Sequence, residues 1–210
     1  PGLAAEALVR WQHPQRGLVP PVNFIPFAEQ TGLVRQLTLW VFEEVARLLA
    51  SPQARHLPLR VSVNLSTRDL LDPELSTRLA GILARHGVQA SAFCLEITES
   101  AIMDDPQRAE AMLNRLSEQG FKLSIDDFGT GYSSLAYLKR LPVDELKIDK
   151  SFVMGMEAGE DDAMIVRSTI DLAHNLGLTV VAEGVETAAI LARLRTLACD
   201  EAQGYHIARP

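Results

Sequence analysis

Seven times along this 210-residue chain a short apolar run closes on a polar or ionisable residue, and between those runs the apolar spacing lengthens toward a helical repeat. The strand-like runs are 4–11 (AAEALVRW), 59–66 (LRVSVNLS), 92–100 (AFCLEITES), 122–129 (KLSIDDFG), 145–152 (ELKIDKSF), 179–186 (TVVAEGVE) and 201–208 (EAQGYHIA). Helical patterns fall at 35–50, where Leu37, Trp40, Val41, Val45 and Leu48 form the expected buried stripe, at about 73–86, at 160–176 and at 187–198. Another is bounded by Asp105 as N-cap, Pro106 at the first helical position and Gly120 past its end, and a short one is expected around Ser133–Leu141. Residues 13–24, rich in proline and glycine, read as a loop. Strand and helix in alternation select an α/β fold with parallel strands over segregated α and β layers. Seven strands suit an open doubly wound sheet poorly and are one short of a (β/α)8 barrel, which typically takes about 250 residues. No Gly-x-Gly-x-x-Gly opens a helix, since the third glycine position after Gly129 is Ser134, and this disfavours a dinucleotide-binding fold.

The residues closing the runs carry the chemistry. They are Glu6, Asn64, Glu96, the pair Asp126/Asp127, Lys147, Glu183 and Gln203. A single strand-end acid ordinarily caps the next helix or faces water, and Asp126-Asp127 before Phe128-Gly129-Thr130-Gly131 could be an Asx-type turn. Repetition at strand after strand is what argues for one site at the carboxyl ends of the strands. Adjacent carboxylates repel unless a positive charge lies beside them, and a divalent cation supplies it. An all-oxygen donor set suits Mg²⁺, Mn²⁺ or Ca²⁺ and not thiolate-held zinc. Asp126 and Asp127 can serve two ions roughly 3.5–4 Å apart, the arrangement that clamps a phosphoryl centre. Arg10, two alternations beyond Glu6, can engage a phosphate through two parallel hydrogen bonds. Lys147 among acids stays charged and can orient a water. Residue chemistry alone reaches metal-assisted hydrolysis of a phosphate ester.

The formal net charge of -7 argues against a grip on a DNA or RNA duplex, which calls for a basic face. An anionic substrate remains compatible, because bound cations reverse the local sign of an acidic site. No apolar run reaches the roughly 20 residues of a membrane span. Cys94 and Cys199 lack zinc-site spacing and read as free thiols in a reducing compartment. A chain that starts at Pro1 without methionine reads as an excised piece.

Glu6-Ala7-Leu8, FIPFAEQTG, Asn64-Leu65-Ser66, EITES, DDFGTGYSSL, LKIDKSF, VVAEGVET and QGYHIARP follow one another along nearly the whole chain. In that order they resemble the EAL domain, the bacterial module that hydrolyses cyclic di-GMP. The resemblance implies one EAL domain over residues 1–210, with a TIM-like barrel whose first strand is antiparallel. That strand and the helix after the last strand are missing here, so it implies a domain shortened at both ends. It assigns Glu6, Asn64, Glu96 and Asp126 to a first metal and Asp126 with Asp127 to a second, the ions being Mg²⁺ or Mn²⁺. Ca²⁺ is expected to occupy the ligands without supporting turnover, and so to inhibit. Glu183 is implied as general base and Lys147 as the residue that orients the attacking water. Leu8, Arg10, Gln203 and Glu186 are implied on the substrate side, and Glu99 as the residue that steadies the loop after Asp127. The implied reaction is in-line attack of water on one phosphodiester, giving linear pGpG, with a catalytically silent cyclic di-GMP receptor as the alternative. The implied setting is a bacterial cytoplasmic domain, a candidate homodimer, behind a sensory or GGDEF domain in a parent chain that a membrane can anchor.

Overall fold

The computed structural model describes residues 3–129, 135–157 and 159–209. They fall into two compact units, one running up to Ile97 and taking in Asp104–Lys122, the other comprising Thr98–Met103 and the residues from Leu123 on.

In the first unit, β1 (Leu3–Glu6) pairs in parallel with the strand Leu59–Leu65, which pairs in parallel with the strand beginning at Phe93. Between β1 and that second strand lie β2 (Trp11–His13) and β3 (Gly17–Val19), an antiparallel hairpin, then α1 (Ile25–Thr31) and α2 (Val34–Ala50). The strands Leu59–Leu65 and Phe93–Thr98 are β4 and β5, separated by α3 (Thr67–Leu70) and α4 (Leu75–His86). Two expectations change here. The first strand ends at Glu6 and not at residue 11, and part of the expected loop 13–24 is paired as β3. Ala7 N–H still donates to Ser62 O, and farther on Gly17, at φ 68, turns the chain back on itself.

The buried stripe of α2 is rotated from the one expected. Val34, Thr38, Phe42, Val45, Ala46 and Leu49 are buried, whereas Trp40 and Leu48 are 54% and 53% exposed. Both stripes have helical spacing, and aromatic packing decides between them. Phe42 stacks on Phe93 with centroids 4.2 Å apart and meets Phe121 edge-on at 5.8 Å. Burying a ring of that size contributes about 2–3 kcal/mol.

After α5 (Glu99–Asp104), α6 (Pro106–Glu118) returns to the first unit with the start that its sequence dictates. The Asp105 side chain accepts from Arg108 N–H at 3.3 Å, and Pro106 occupies the first turn. In α4, Gly81 has room for a side chain, since an added Cβ would meet nothing nearer than Arg85 Nη1 at 4.0 Å. Gly81→Ala is therefore expected to stabilise the protein by about 0.5–1 kcal/mol, read as a higher urea midpoint. An unchanged or lowered midpoint would show that the site is not open helix.

The second unit holds β6 (Lys122–Phe128) from Leu123 on, then α7 (Leu135–Leu138), β7 (Glu145–Ile148), α8 (Lys150–Gly155), α9 (Glu160–Asn175), β8 (Thr179–Ala182), α10 (Ala188–Thr196) and β9 (Glu201–Ala202). Strands β6, β7, β8 and β9 pair in that order, all parallel. The helix expected over Ser133–Leu141 appears as α7, with Ser133 and Ser134 outside the described residues, as are Thr130 and Gly131 of the expected loop. Strands expected to run to residues 100, 152, 186 and 208 stop at Thr98, Ile148, Ala182 and Ala202. Past Thr98 and Ile148 the polar residues go to a helix, past Ala202 to a turn, and past Ala182 to an irregular segment that leads to the next helix. Asp149 is the N-cap of α8, accepting from Ser151 N–H at 2.9 Å. The Thr187 hydroxyl caps α10, accepting from Ile190 N–H at 3.2 Å.

Candidate active site

Strand register places the polar ends of the first unit. Residues directly opposite in adjacent strands project to the same face, and alternate residues along a strand share it. Glu6 lies opposite Ser62, and Asn64 lies opposite Glu96. Val61, Val63 and Leu65 are buried on the other face of β4. Glu6, Asn64 and Glu96 therefore stand on one face at the carboxyl ends of three parallel strands. Asn64 Nδ2 donates to Glu6 Oε1 at 3.0 Å, and Glu96 is only 2% exposed.

The chain leaving Asn64 is pinned by a capping box. The Ser66 hydroxyl accepts from Asp69 N–H at 3.3 Å, and the Asp69 carboxylate takes Ser66 N–H at 2.8 Å and the Ser66 hydroxyl at 2.6 Å. The Thr38 hydroxyl of α2 donates to the same carboxylate at 2.9 Å, which is why a threonine sits in the buried stripe of that helix. Burial raises the Asp69 pKa, against the pull of the hydrogen bonds from Ser66 and Thr38.

In the second unit the adjacent pair Asp126-Asp127 meets an irregularity. Ile125 lies opposite Leu146 and Phe128 opposite Ile148, so two residues of β6 face one residue of β7, and that one is Lys147. This is a β-bulge, rare between parallel strands. Regular alternation would send neighbouring carboxylates to opposite faces. Here Asp127 takes φ 54 and its N–H donates to Asp126 Oδ1 at 3.0 Å. Aspartate is among the few non-glycine residues that adopt this conformation readily. Oxygens of Asp126, Asp127 and Glu183 consequently lie within 4.8 Å of one another. Lys147, 1% exposed, sets its Nζ 2.5 Å from Glu183 Oε1 and 3.4 Å from Asp126 Oδ1.

Asp149 joins this group and was not among the candidates from sequence. Burial, then the Asp126 and Asp149 carboxylates, push the Asp127 pKa up to about 6, with Lys147 pulling it down. Burial also acts to raise Asp149, but hydrogen bonds from the Ser151 hydroxyl and N–H, and one shared with Asp127, hold it below the ordinary carboxylate range. The signal lay in the spacing Lys147-x-Asp149, where the third residue still reaches the strand end although it starts the next helix. Among the described residues, the carboxylates of Asp126, Asp127, Asp149 and Glu183 outnumber the Lys147 ammonium and the Lys150 charge that acts on Asp149, which leaves the site with an excess of negative charge. Its oxygen donors fit a hard divalent cation, which would replace the repulsion among them with attraction.

The other candidates are placed as follows. Glu99, buried at the start of α5, accepts from Gly129 N–H at 3.4 Å through Oε2. Gln203 follows β9, its N–H donating to Ala182 O at 2.8 Å and its carbonyl accepting from Val185 N–H at 3.0 Å. Glu186 is exposed. Leu8 and Arg10 lie beyond the end of β1, so strand alternation does not carry Arg10 to the face of Glu6. The Arg10 guanidinium instead donates to Val9 O at 2.9 Å and is exposed.

The profile of one family, the EAL domain, matches residues 2–210. The bifunctional diguanylate cyclase/cyclic di-GMP phosphodiesterase MucR of Pseudomonas aeruginosa is 44% identical over 211 residues, covering 100% of this chain and 31% of MucR. The cyclic di-GMP phosphodiesterase NbdA of the same organism is 47% identical over 206 residues, 98% of this chain and 26% of NbdA. The chain thus spans a third or less of the length of these relatives. A solved MucR phosphodiesterase in complex with c-di-GMP superposes with a TM-score of 0.93 at 44% identity, over 98% of this chain and 83% of that one. The FimX EAL domain of Pseudomonas aeruginosa bound to c-di-GMP gives 0.90 at 27% identity, over 98% and 82%. The α/β, TIM-like fold class expected from the sequence is the one these structures share with it.

Proposed function

This chain belongs to the EAL domain family, and we propose from that premise that residues 1–210 act as one domain hydrolysing a phosphodiester of cyclic di-GMP to linear pGpG. The observation that carries the reading is the convergence of Asp126, Asp127 and Glu183 around the buried Lys147. A strand end serving only structure has no use for a bulge that crowds like charges.

We propose as metal ligands Glu6, Asn64 and Glu96 from the first unit and Asp126 and Asp127 from the second, for two ions of Mg²⁺ or Mn²⁺. When bound, such ions neutralise charge developing on the phosphoryl oxygens and make water a better nucleophile. The remaining work belongs to side chains. Glu183 accepts the proton of the attacking water, which calls for a carboxylate within hydrogen-bond reach of it. Lys147, ion-paired with Glu183 and Asp126 together, fixes the direction in which Glu183 presents its carboxylate. Arg10 and Gln203, with Leu8 and Glu186, bind and orient the dinucleotide. Glu99 holds the backbone at Gly129, immediately after the paired aspartates. Asp149, beside Asp127, joins the assigned residues as a neighbour that sets its charge state.

The test is hydrolysis of cyclic di-GMP with Mg²⁺ or Mn²⁺, followed by separation of pGpG. Glu183→Ala is expected to lower kcat about 10²–10⁴-fold with little change in nucleotide affinity. Ca²⁺, which fits oxygen ligands with a looser geometry, is expected to inhibit. A folded chain that binds the nucleotide and leaves it intact under both activating metals would be a catalytically silent receptor instead.

Among the described residues no helix is long and apolar enough to cross a membrane. Cys94 and Cys199 are free thiols. Both fit a bacterial cytoplasmic setting for the domain, and the length of its relatives fits further sensory or GGDEF modules in the parent chain. Self-association as a homodimer is part of the same reading, and sedimentation of the domain tests it.

A further inference from the structure

We infer that Gly204 is a positioning residue, one that holds Gln203 beside Glu183 by letting the backbone after β9 lie directly on Val185. The inference rests on the reading of Gln203 and Glu183 as site residues, but its physical basis is separate. Gln203 N–H donates to Ala182 O at 2.8 Å, and Val185 N–H donates to Gln203 O at 3.0 Å. The backbone of Gln203 therefore spans Glu183, bonded to the residue before it and to the second residue after it. His206 N–H then donates to Val185 O at 3.0 Å, closing the chain over the same residue.

These bonds bring the two backbones together so closely that no side chain fits between them. A Cβ on Gly204 would stand 2.3 Å from both the N and the O of Val185 and 2.7 Å from its carbonyl carbon. Val185 has nowhere to retreat, since it is fully buried. Its neighbour Gly184, at φ 71, is pressed against α8, where an added Cβ would meet Lys150 Cβ at 2.6 Å. The segment Glu183-Gly184-Val185 is thus held on one side by Lys150, which follows the Asp149 N-cap, and on the other by Gly204. Any side chain at Gly204 must lift residues 203–206 from Val185, and Gln203 moves with them.

Gly204→Ala, Gln203→Ala and the double variant in the intact chain test this, with Gly81→Ala as a control for the glycine-to-alanine change itself. Gly204→Ala is expected to lower kcat for cyclic di-GMP by about tenfold or more, as ångström-scale misplacement does. On the Gln203→Ala background it should cost less than about twofold further, because a residue acting through Gln203 has nothing left to position. Losses that multiply in the double variant would overturn the inference.

Two readouts are independent of catalysis. In Gly204→Ala the amides of Val185 and His206 should exchange with deuterium about tenfold faster or more, with those of β6 and β7 unchanged. The Gln203 side-chain amide resonances should shift. In the unmutated protein the Val185 and His206 amides should be protected like those of β8. Free exchange there overturns the inference even if the alanine variant fails to fold. A wild-type chain that is protected at these amides but leaves cyclic di-GMP intact would contradict the proposed function and leave the backbone clamp standing.

Discussion

Lys147→Met is expected to destabilise the metal-free protein by about 3–5 kcal/mol, the usual consequence of removing one partner from a buried ion pair. Set against a typical total of about 5–15 kcal/mol, that is a large share of the stability of a domain. Methionine keeps most of the side-chain volume, so loss of packing is not the cause. What goes is the ammonium group set between Asp126 and Glu183, at 3.4 and 2.5 Å. Mg²⁺ supplies positive charge at the same carboxylates, so it should return part of the loss, with about 2.7 kcal/mol gained at a hundredfold excess over Kd. Hydrolysis should not return with it, because Glu183 would no longer be aimed. Urea denaturation in EDTA and in Mg²⁺, alongside turnover, separates the two effects. A variant as stable as the wild type in EDTA would show that Lys147 is not compensating the acids.

Asp127→Asn is expected to have opposite effects on the two properties, raising the stability of the metal-free protein at neutral pH while hydrolysis falls by about 10² or more. Asparagine tolerates φ 54 as aspartate does, so the bulge survives and only the charge is lost. The sign follows from the Asp127 pKa, raised in the folded protein to about 6 by burial, Asp126 and Asp149. A carboxyl that holds its proton more tightly when folded contributes stability that is complete below its unfolded pKa, near 4, and lost as pH rises through about 6. Between those values, in EDTA, the wild type should lose stability relative to Asp127→Asn. The difference between the two proteins is the quantity to measure, because Asp69 titrates with the same sign and Asp149 with the opposite one. With Mg²⁺ present the slope should reverse, since the ion binds the ionised form. A wild type that gains on the variant between pH 4 and 6 in EDTA would refute the account.

A sequence carries its local physical signals openly and its long-range ones hardly at all. The parallel strands, their direction and the identity of their closing residues were legible, because apolar periodicity and an acid at its end are both local patterns. Helix caps were legible for the same reason, as at Asp105 and Pro106. The face of α2 was not, because two stripes of equal spacing compete and the choice lies with Phe93 and Phe121, far along the chain. Nor was the hairpin Trp11–Val19, where glycine and proline mark turns without saying whether the flanks pair. Within the site, strand alternation suggested that Arg10 shares the face of Glu6, but the strand stops at Glu6. Alternation would also have separated Asp126 from Asp127, and only the backbone at Asp127 reveals how they face the same way. Asp149 escaped notice because a residue that caps a helix looks complete in that role.

The extra residue in β6 makes this site sensitive to chain length as well as to chemistry. Deleting either Asp126 or Asp127 would leave one residue across from Lys147 and allow an uninterrupted ladder between Ile125 and Phe128. Such a chain could fold more smoothly than its parent, with an aspartate still present at the right place in the alignment. It would nevertheless have lost the pairing of two acids on one side of the sheet. A one-residue gap at this point is therefore expected to cost hydrolysis even where every apolar residue of the strands is kept.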